Sequence, residues 1–179
     1  FYWERLGQKA LAVDPIRLAG SVLRIASSDD ASYLDHRVNL LSQALRVNPE
    51  ATWQEIGRVL LDESRNAHRL SWNLQRLGVI GAVPLPTITD WLQRHGERGA
   101  LVVAESARVT TGALTPIVRF LLMKSGERVA RALSRTFLSG EWWGDESSHL
   151  QQKIEAARRW LADPEVTISQ WATSLLSSL

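Results

Sequence analysis

Residues 139–150 read SGEWWGDESSHL, which sets Trp142 and Trp143 side by side between glycines and follows them with Asp145, Glu146 and His149. An exposed indole pair can stack a sugar ring, a base or a peptide side chain, each stack contributing on the order of 1–3 kcal/mol. The same indoles can instead seal a groove between packed helices, burying roughly 150–250 Å² apiece. Adjacent side chains do not easily face one way, so one is expected to pack and the other to meet a partner. Glu146 and His149 have E-x-x-H spacing, which on a helix sets a carboxylate beside an imidazole, as in half of a di-iron bundle site. A metal would need a second such pair, and the sequence has none. The plainer reading is a solvated first turn with acids at the positive end of a helix dipole. His36, His68 and His95 stand alone and read as surface or rim residues.

A second constellation is basic. Arg128, Arg131 and Arg135 are spaced i, i+3 and i+7, so on a helix they share a face. Arg119, Lys124, Arg158 and Arg159 could lie nearby, and a groove of this kind can hold phosphates. The competing reading is a solvated repeat face paired with neighbours such as Glu127 and Glu155. The whole chain argues little either way: the pI is near 9.4, but the formal charge is only +2.

The sequence has no G-x-x-x-x-G-K-[ST] loop, no strand-linked G-x-G-x-x-G, no G-x-S-x-G elbow and no H-E-x-x-H. There are no cysteines, which removes disulfides, thiolate metal sites and cysteine nucleophiles, and suits a reducing compartment. No apolar run approaches the roughly 18 residues of a membrane span, and no basic-then-apolar signal opens the chain. These features predict a cytoplasmic, non-catalytic protein with no cofactor, no metal site and no membrane contact.

The elements that must position these residues read as helices throughout. Ile168, Trp171, Ala172, Leu175, Leu176 and Leu179 form one stripe at helical spacing. Leu150, Ile154, Ala157 and Leu161 form another. Val129, Leu133 and Phe137 repeat the pattern, as do Ala67, Leu70, Leu74 and Leu77, and Leu34, Val38, Leu41 and Leu45. Asp14–Pro15, Asn48–Pro49 and Asp163–Pro164 each read as an N-cap followed by proline in the first turn. Ser148 with Gln151 reads as a capping box, and Gly78, Gly126 and Gly140 as helix stops. The connector GVIGAVPLP, residues 78–86, is too apolar for a solvated loop, so it is expected to bury between repeats or against another domain. TPIVRFLLMK is apolar nearly all round, as befits a helix enclosed by neighbours.

Pro15, Pro49, Pro84 and Pro116 are spaced by 34, 35 and 32 residues, each interval holding two helices. ERVARALSRTFLSG aligns with VTISQWATSLLSS at an offset of 39, pairing Val129 with Ile168, Ala132 with Trp171 and Leu133 with Ala172. That offset lies near the HEAT and armadillo period of about 40 residues. The end of the chain, LADPEVTISQWATSLL, resembles the HEAT-repeat signature through Asp163, Pro164, Ile168, Ala172 and Leu175. It departs from the signature at Ser169 and Ala130, where the family usually carries arginine. The match covers about the last 55 residues. The stretch from VARALSRTFLSG to RRWLADPEV is also similar to C-terminal helical-repeat regions of large multidomain bacterial proteins, some with NTPase modules and suspected antiviral roles.

The resulting expectation is an all-α fold, an α-solenoid of about eleven short antiparallel helices in HEAT-like pairs. Residues 1–179 would form one helical-repeat domain. Because FYWERLGQKALAV opens without methionine and reads as the middle of an amphipathic helix, the domain is expected to come from a longer polypeptide. Its expected role is scaffold or sensor, contacting other domains of its parent or a protein ligand through Trp142, Trp143, Arg128, Arg131 and Arg135. The rival reading is a DNA-binding HEAT-like protein of the alkylpurine glycosylase kind, with Asp145 or Glu146 beside the tryptophans in a basic groove. A third is an enzyme with a helical-bundle active site.

Overall fold

The computed structural model describes residues 9–10, 13–26, 34–62, 64–139 and 145–179. Among them every regular element is helical and none is a strand. Nine α-helices are described: α1 (Pro15–Ala26), α2 (Leu34–Val47), α3 (Pro49–Leu60), α4 (Arg65–Leu77), α5 (Leu85–Ser106), α6 (Pro116–Lys124), α7 (Glu127–Leu138), α8 (Glu146–Leu161) and α9 (Val166–Leu176). A 3-10 turn, Val79–Ala82, follows α4. The first two proline intervals each hold two helices, α1 with α2 and α3 with α4. The third holds α5 alone, and so the described helices fall short of eleven. Gly96 (φ 56°, ψ −143°) bends α5 into arms at 85–95 and 97–106. That backbone conformation is essentially restricted to glycine.

Several helix ends follow the local chemistry of the chain. Asp14 accepts a hydrogen bond from the Arg17 amide (2.9 Å), and Asn48 accepts one from the Ala51 amide (3.3 Å). Gly78 closes α4 in the left-handed region (φ 66°), where a side chain is disfavoured. Other ends differ from the expected punctuation. Gly126 caps the start of α7, while α6 stops at Lys124 with Ser125 beyond it. The cap of α8 is Asp145, whose carboxylate accepts from the Ser148 amide at 2.7 Å, so Ser148 lies inside the first turn. That bond holds the Asp145 carboxyl below the usual range. α9 begins at Val166, after Glu165. Asp163 instead receives both guanidinium nitrogens of Arg119 (2.5 and 3.0 Å) and the Glu165 amide (3.1 Å). The carboxylate is thus engaged by the bidentate Arg119 guanidinium, and the helix starts beyond it.

Packing runs mainly between elements near one another in the chain. α1 packs on α2, α3 and α4, and α3 and α4 both pack on α5. α5 carries α6 and α7, and α6 touches α9, which packs along α8. The apolar connector docks inward: Val79, Ile80 and Val83 are buried, and the 3-10 turn lies against α2 and α4. α6 is enclosed as its composition requires, with Ile117, Val118, Leu121 and Leu122 buried. The aligned pairs Val129 and Ile168, Ala132 and Trp171, and Leu133 and Ala172 are all buried. The stripe expected on α8 is rotated, because Leu150 and Leu161 are exposed while Lys153, Ala156, Ala157 and Trp160 face inward.

α3 and α5 approach each other closely at Trp91 on α5. Its indole meets Trp53 edge-on (5.6 Å between centroids) and crosses α3 at Gly57, where a Cβ would stand 2.6 Å from the ring. Gly57→Ala is therefore expected to lower stability by about 1–3 kcal/mol. Gly20→Ala in α1, with nothing within 4 Å of its Cβ position, should raise it by about 0.5–1 kcal/mol. Thermal denaturation of the two variants checks both signs, and a neutral Gly57→Ala would mean that the crossing is looser than described.

The Arg119–Asp163 pair yields a pH prediction. The Arg119 hydrogen bonds hold the Asp163 carboxyl below the usual carboxylate range, so its contribution is present at neutral pH. It is lost as pH falls below about 4, where the unfolded chain takes up the proton first. Asp163→Asn should cost about 1–2 kcal/mol at neutral pH and flatten the acid limb of the stability profile, as urea unfolding at stepped pH would show.

Candidate functional site

α7 and α8 follow each other in the chain without packing along their length. They touch through the Phe137 and Trp160 rings (5.2 Å, 61°) and through Lys153, whose Nζ donates to the Leu138 carbonyl at 2.7 Å. Beside these contacts the end of α4, the loop after α5, the end of α7 and the middle of α8 enclose a cavity of about 540 Å³. Its walls carry Arg76, Arg108 and Lys153 as cations, with Thr110, Thr111 and Ser139 supplying hydroxyls. Among the described lining residues there is no aspartate or glutamate.

Each cationic side chain is placed by a specific local feature. Arg108 leaves the end of α5, crosses the Gly78 cap and donates from Nη1 to the Arg76 carbonyl in the last turn of α4 (3.2 Å). Lys153 does the same for the last carbonyl of α7. Both cations thus sit at helix C-termini, where the dipole is negative and the last carbonyls need donors. Arg76 places its guanidinium 5.5 Å from the centre of the Trp72 ring. Gln75 ties the two walls together by donating to the Thr136 carbonyl (3.5 Å).

The electrostatics of the cavity are unusual at Lys153. Only 6% of this residue is exposed, and its ammonium lies 5.7 Å from the Phe137 ring. Burial pushes its pKa below the ordinary lysine value. His149, on the same face of α8, is held below the ordinary imidazole value by burial and by the Lys153 charge. Helix dipoles and a ring face offset part of the Lys153 charge; a carboxylate or a bound anion would do so more fully.

Of the residues singled out in the sequence, His149 lines this cavity, whereas Arg128, Arg131 and Arg135 do not. Trp142 and Trp143 lie outside the described residues. Arg128, Arg131 and Arg135 share an exposed face of α7, but each has a carboxylate close by: Glu97 at 3.7 Å, Glu127 at 3.6 Å and Glu105 at 3.5 Å. Two of these glutamates come from α5, which packs on α7. Arg119 is engaged by Asp163, and Arg159 donates to the Thr111 carbonyl. Glu146 is exposed in the first turn of α8. No group of three or more metal-ligating side chains occurs among the described residues, and none of their helices is long and apolar enough to cross a membrane.

Trp72, Arg76, Arg108 and Lys153 were missed by the sequence reading, although two of them left a signal. Trp72 falls off the Ala67, Leu70, Leu74 stripe, which forces it outward, and it is 50% exposed while Trp53, Trp91, Trp160 and Trp171 are buried. Lys153 falls on the apolar stripe of Ala156, Ala157 and Trp160, once that stripe is read in the right phase.

No family model, curated relative or solved structure matches the chain.

Exposed ion pairs contribute about 0–1 kcal/mol each. Replacing Arg128, Arg131 and Arg135 together with alanine should therefore leave helicity unchanged by circular dichroism and shift Tm by only a few degrees. A large loss of stability would instead make the stripe part of the α5–α7 packing.

Proposed function

We propose that the chain is a non-catalytic helical-repeat recognition module, a scaffold or sensor mediating protein–protein contacts within a larger multidomain protein. The observation that carries this reading is the order of packing: helices mainly contact their chain neighbours, as in a HEAT-like α-solenoid, an arrangement that leaves long outer faces for partners. The buried equivalence of Val129, Ala132 and Leu133 with Ile168, Trp171 and Ala172 supports a repeat relationship between the α7 and α9 segments. On this reading Arg128, Arg131 and Arg135 form part of the contact face, together with Trp142 and Trp143. On the same reading the setting is cytoplasmic and the parent is a bacterial protein of the NTPase-linked repeat kind, in which the module acts as a sensor.

The carboxylates beside the arginine stripe favour a protein partner over the duplex-DNA reading. A surface that alternates charge matches another mixed surface, whereas a phosphate backbone selects a face with net positive charge. A gel-shift assay with a labelled duplex of about 20 base pairs at about 50 mM salt should show no retarded band. A band that fades as salt rises would replace this reading with the DNA-binding one. In the complementary arm, the chain should co-elute with the adjoining domains of its parent protein on size exclusion, and reversal of the three arginines to glutamate should weaken that complex.

A further inference from the structure

The cavity between α4, α7 and α8 differs from two other basic regions of the described surface. The arginine stripe on α7 has carboxylates within 4 Å. A second hollow contains Arg119 and Arg159, engaged by Asp163 and by the Thr111 carbonyl. In the main cavity the described lining has cations and hydroxyls but no carboxylate, and its most buried cation, Lys153, has a backbone carbonyl as its acceptor. A buried ammonium without a carboxylate is costly, so an anion that entered would be stabilised by more than surface attraction. The volume, about 540 Å³, falls within the roughly 300–1,000 Å³ of small-molecule sites.

The rim adds a requirement for a flat ring. Trp72, half-exposed at the cavity edge, is the only described tryptophan that is not buried. Arg76 sits over one part of its ring, and the exposure of the remainder leaves area on which a second planar group can stack. A phosphate monoester or diphosphate joined to a planar base satisfies both features, with its charge toward Lys153 and Arg108 and its base against Trp72.

We propose that this cavity is a nucleotide-binding site for a nucleoside mono- or diphosphate, with Lys153 and Arg108 holding the phosphate, Thr110 and Thr111 donating to its oxygens, and Trp72 stacking the base. The inference rests on the recognition-module reading and names a ligand that the module senses. Its failure would leave the gel-shift and co-elution results untouched.

Isothermal titration of the whole chain tests the proposal, with ADP, inorganic phosphate and a phosphoserine peptide as separate probes at constant ionic strength. ADP should bind saturably at one site. Lys153→Met and Arg108→Gln should each weaken it by about tenfold or more. Trp72→Ala should weaken ADP by about fivefold or more while leaving inorganic phosphate unaffected. Circular dichroism confirms folding of each variant; should Lys153→Met fail to fold, Arg108 and Trp72 are exposed positions and decide the matter. Absence of heat with millimolar ADP overturns the proposal. So does ADP binding that is indifferent to both Arg108→Gln and Trp72→Ala. A phosphoserine peptide that binds more tightly than ADP and ignores Trp72→Ala would reassign the cavity to a phosphorylated protein.

Discussion

The C-terminal half depends on one aromatic stack. Trp171 on α9 donates from its indole nitrogen to the Ala130 carbonyl (3.2 Å) and to the Ser134 hydroxyl (2.9 Å), both on α7. Trp160 of α8 stacks on Trp171 at 5.4 Å and 26°, and meets Phe137 of α7 edge-on. The α8–α9 hairpin is thus joined to α7 by aromatic rings, with two hydrogen bonds fixing their depth. Large rings hold backbones apart, and so α8 reaches α7 at Phe137 and Leu138 without lying along it. The cavity is the space that this spacing leaves.

The same residue types have opposite consequences on the two sides of α7. Along its outer face, three arginines meet Glu97, Glu105 and Glu127 in exposed pairs that water screens. Toward the cavity, Lys153 and Arg108 meet the carbonyl ends of helices. A carbonyl satisfies a donor without cancelling its charge. The outer face therefore has balanced charge, while the described cavity wall stays positive and partly withdrawn from water.

In the other half the comparable constraint is steric. Trp91 can lie between α3 and α5 because Gly57 and Gly99 present no side chain to it, and the bend at Gly96 redirects the second arm of α5. That arm ends at Ser106 and delivers Arg108 to the end of α4. The buried hydroxyl of Ser106 donates to Ser71 (3.0 Å), tying the two helices together just before the cavity begins. Packing in the first half thereby helps to place a charge in a wall shared with the second.

Much of the architecture is written in local chemistry. Apolar spacing of three and four determined the helical class, and Asn48–Pro49 and Gly78 determined where helices begin and end, because a cap needs only its own turn of chain. The apolar connector at residues 78–86 announced its own burial. What local chemistry left open was any choice settled by a distant partner. Asp163 had the form of a cap until Arg119, 44 residues away, claimed its carboxylate. The spacing of α8 pointed to Leu150, Ile154, Ala157 and Leu161 as its inward face, and the contacts of Trp160 with Trp171 and Phe137 turned that face to Lys153, Ala156, Ala157 and Trp160. The cavity cations Arg76, Arg108 and Lys153 belong to three separate segments, each unremarkable alone, and only the gap between α7 and α8 makes them one site. Periodicity tells a helix which side to bury, but not which neighbour will cover it or what charge that neighbour will bring.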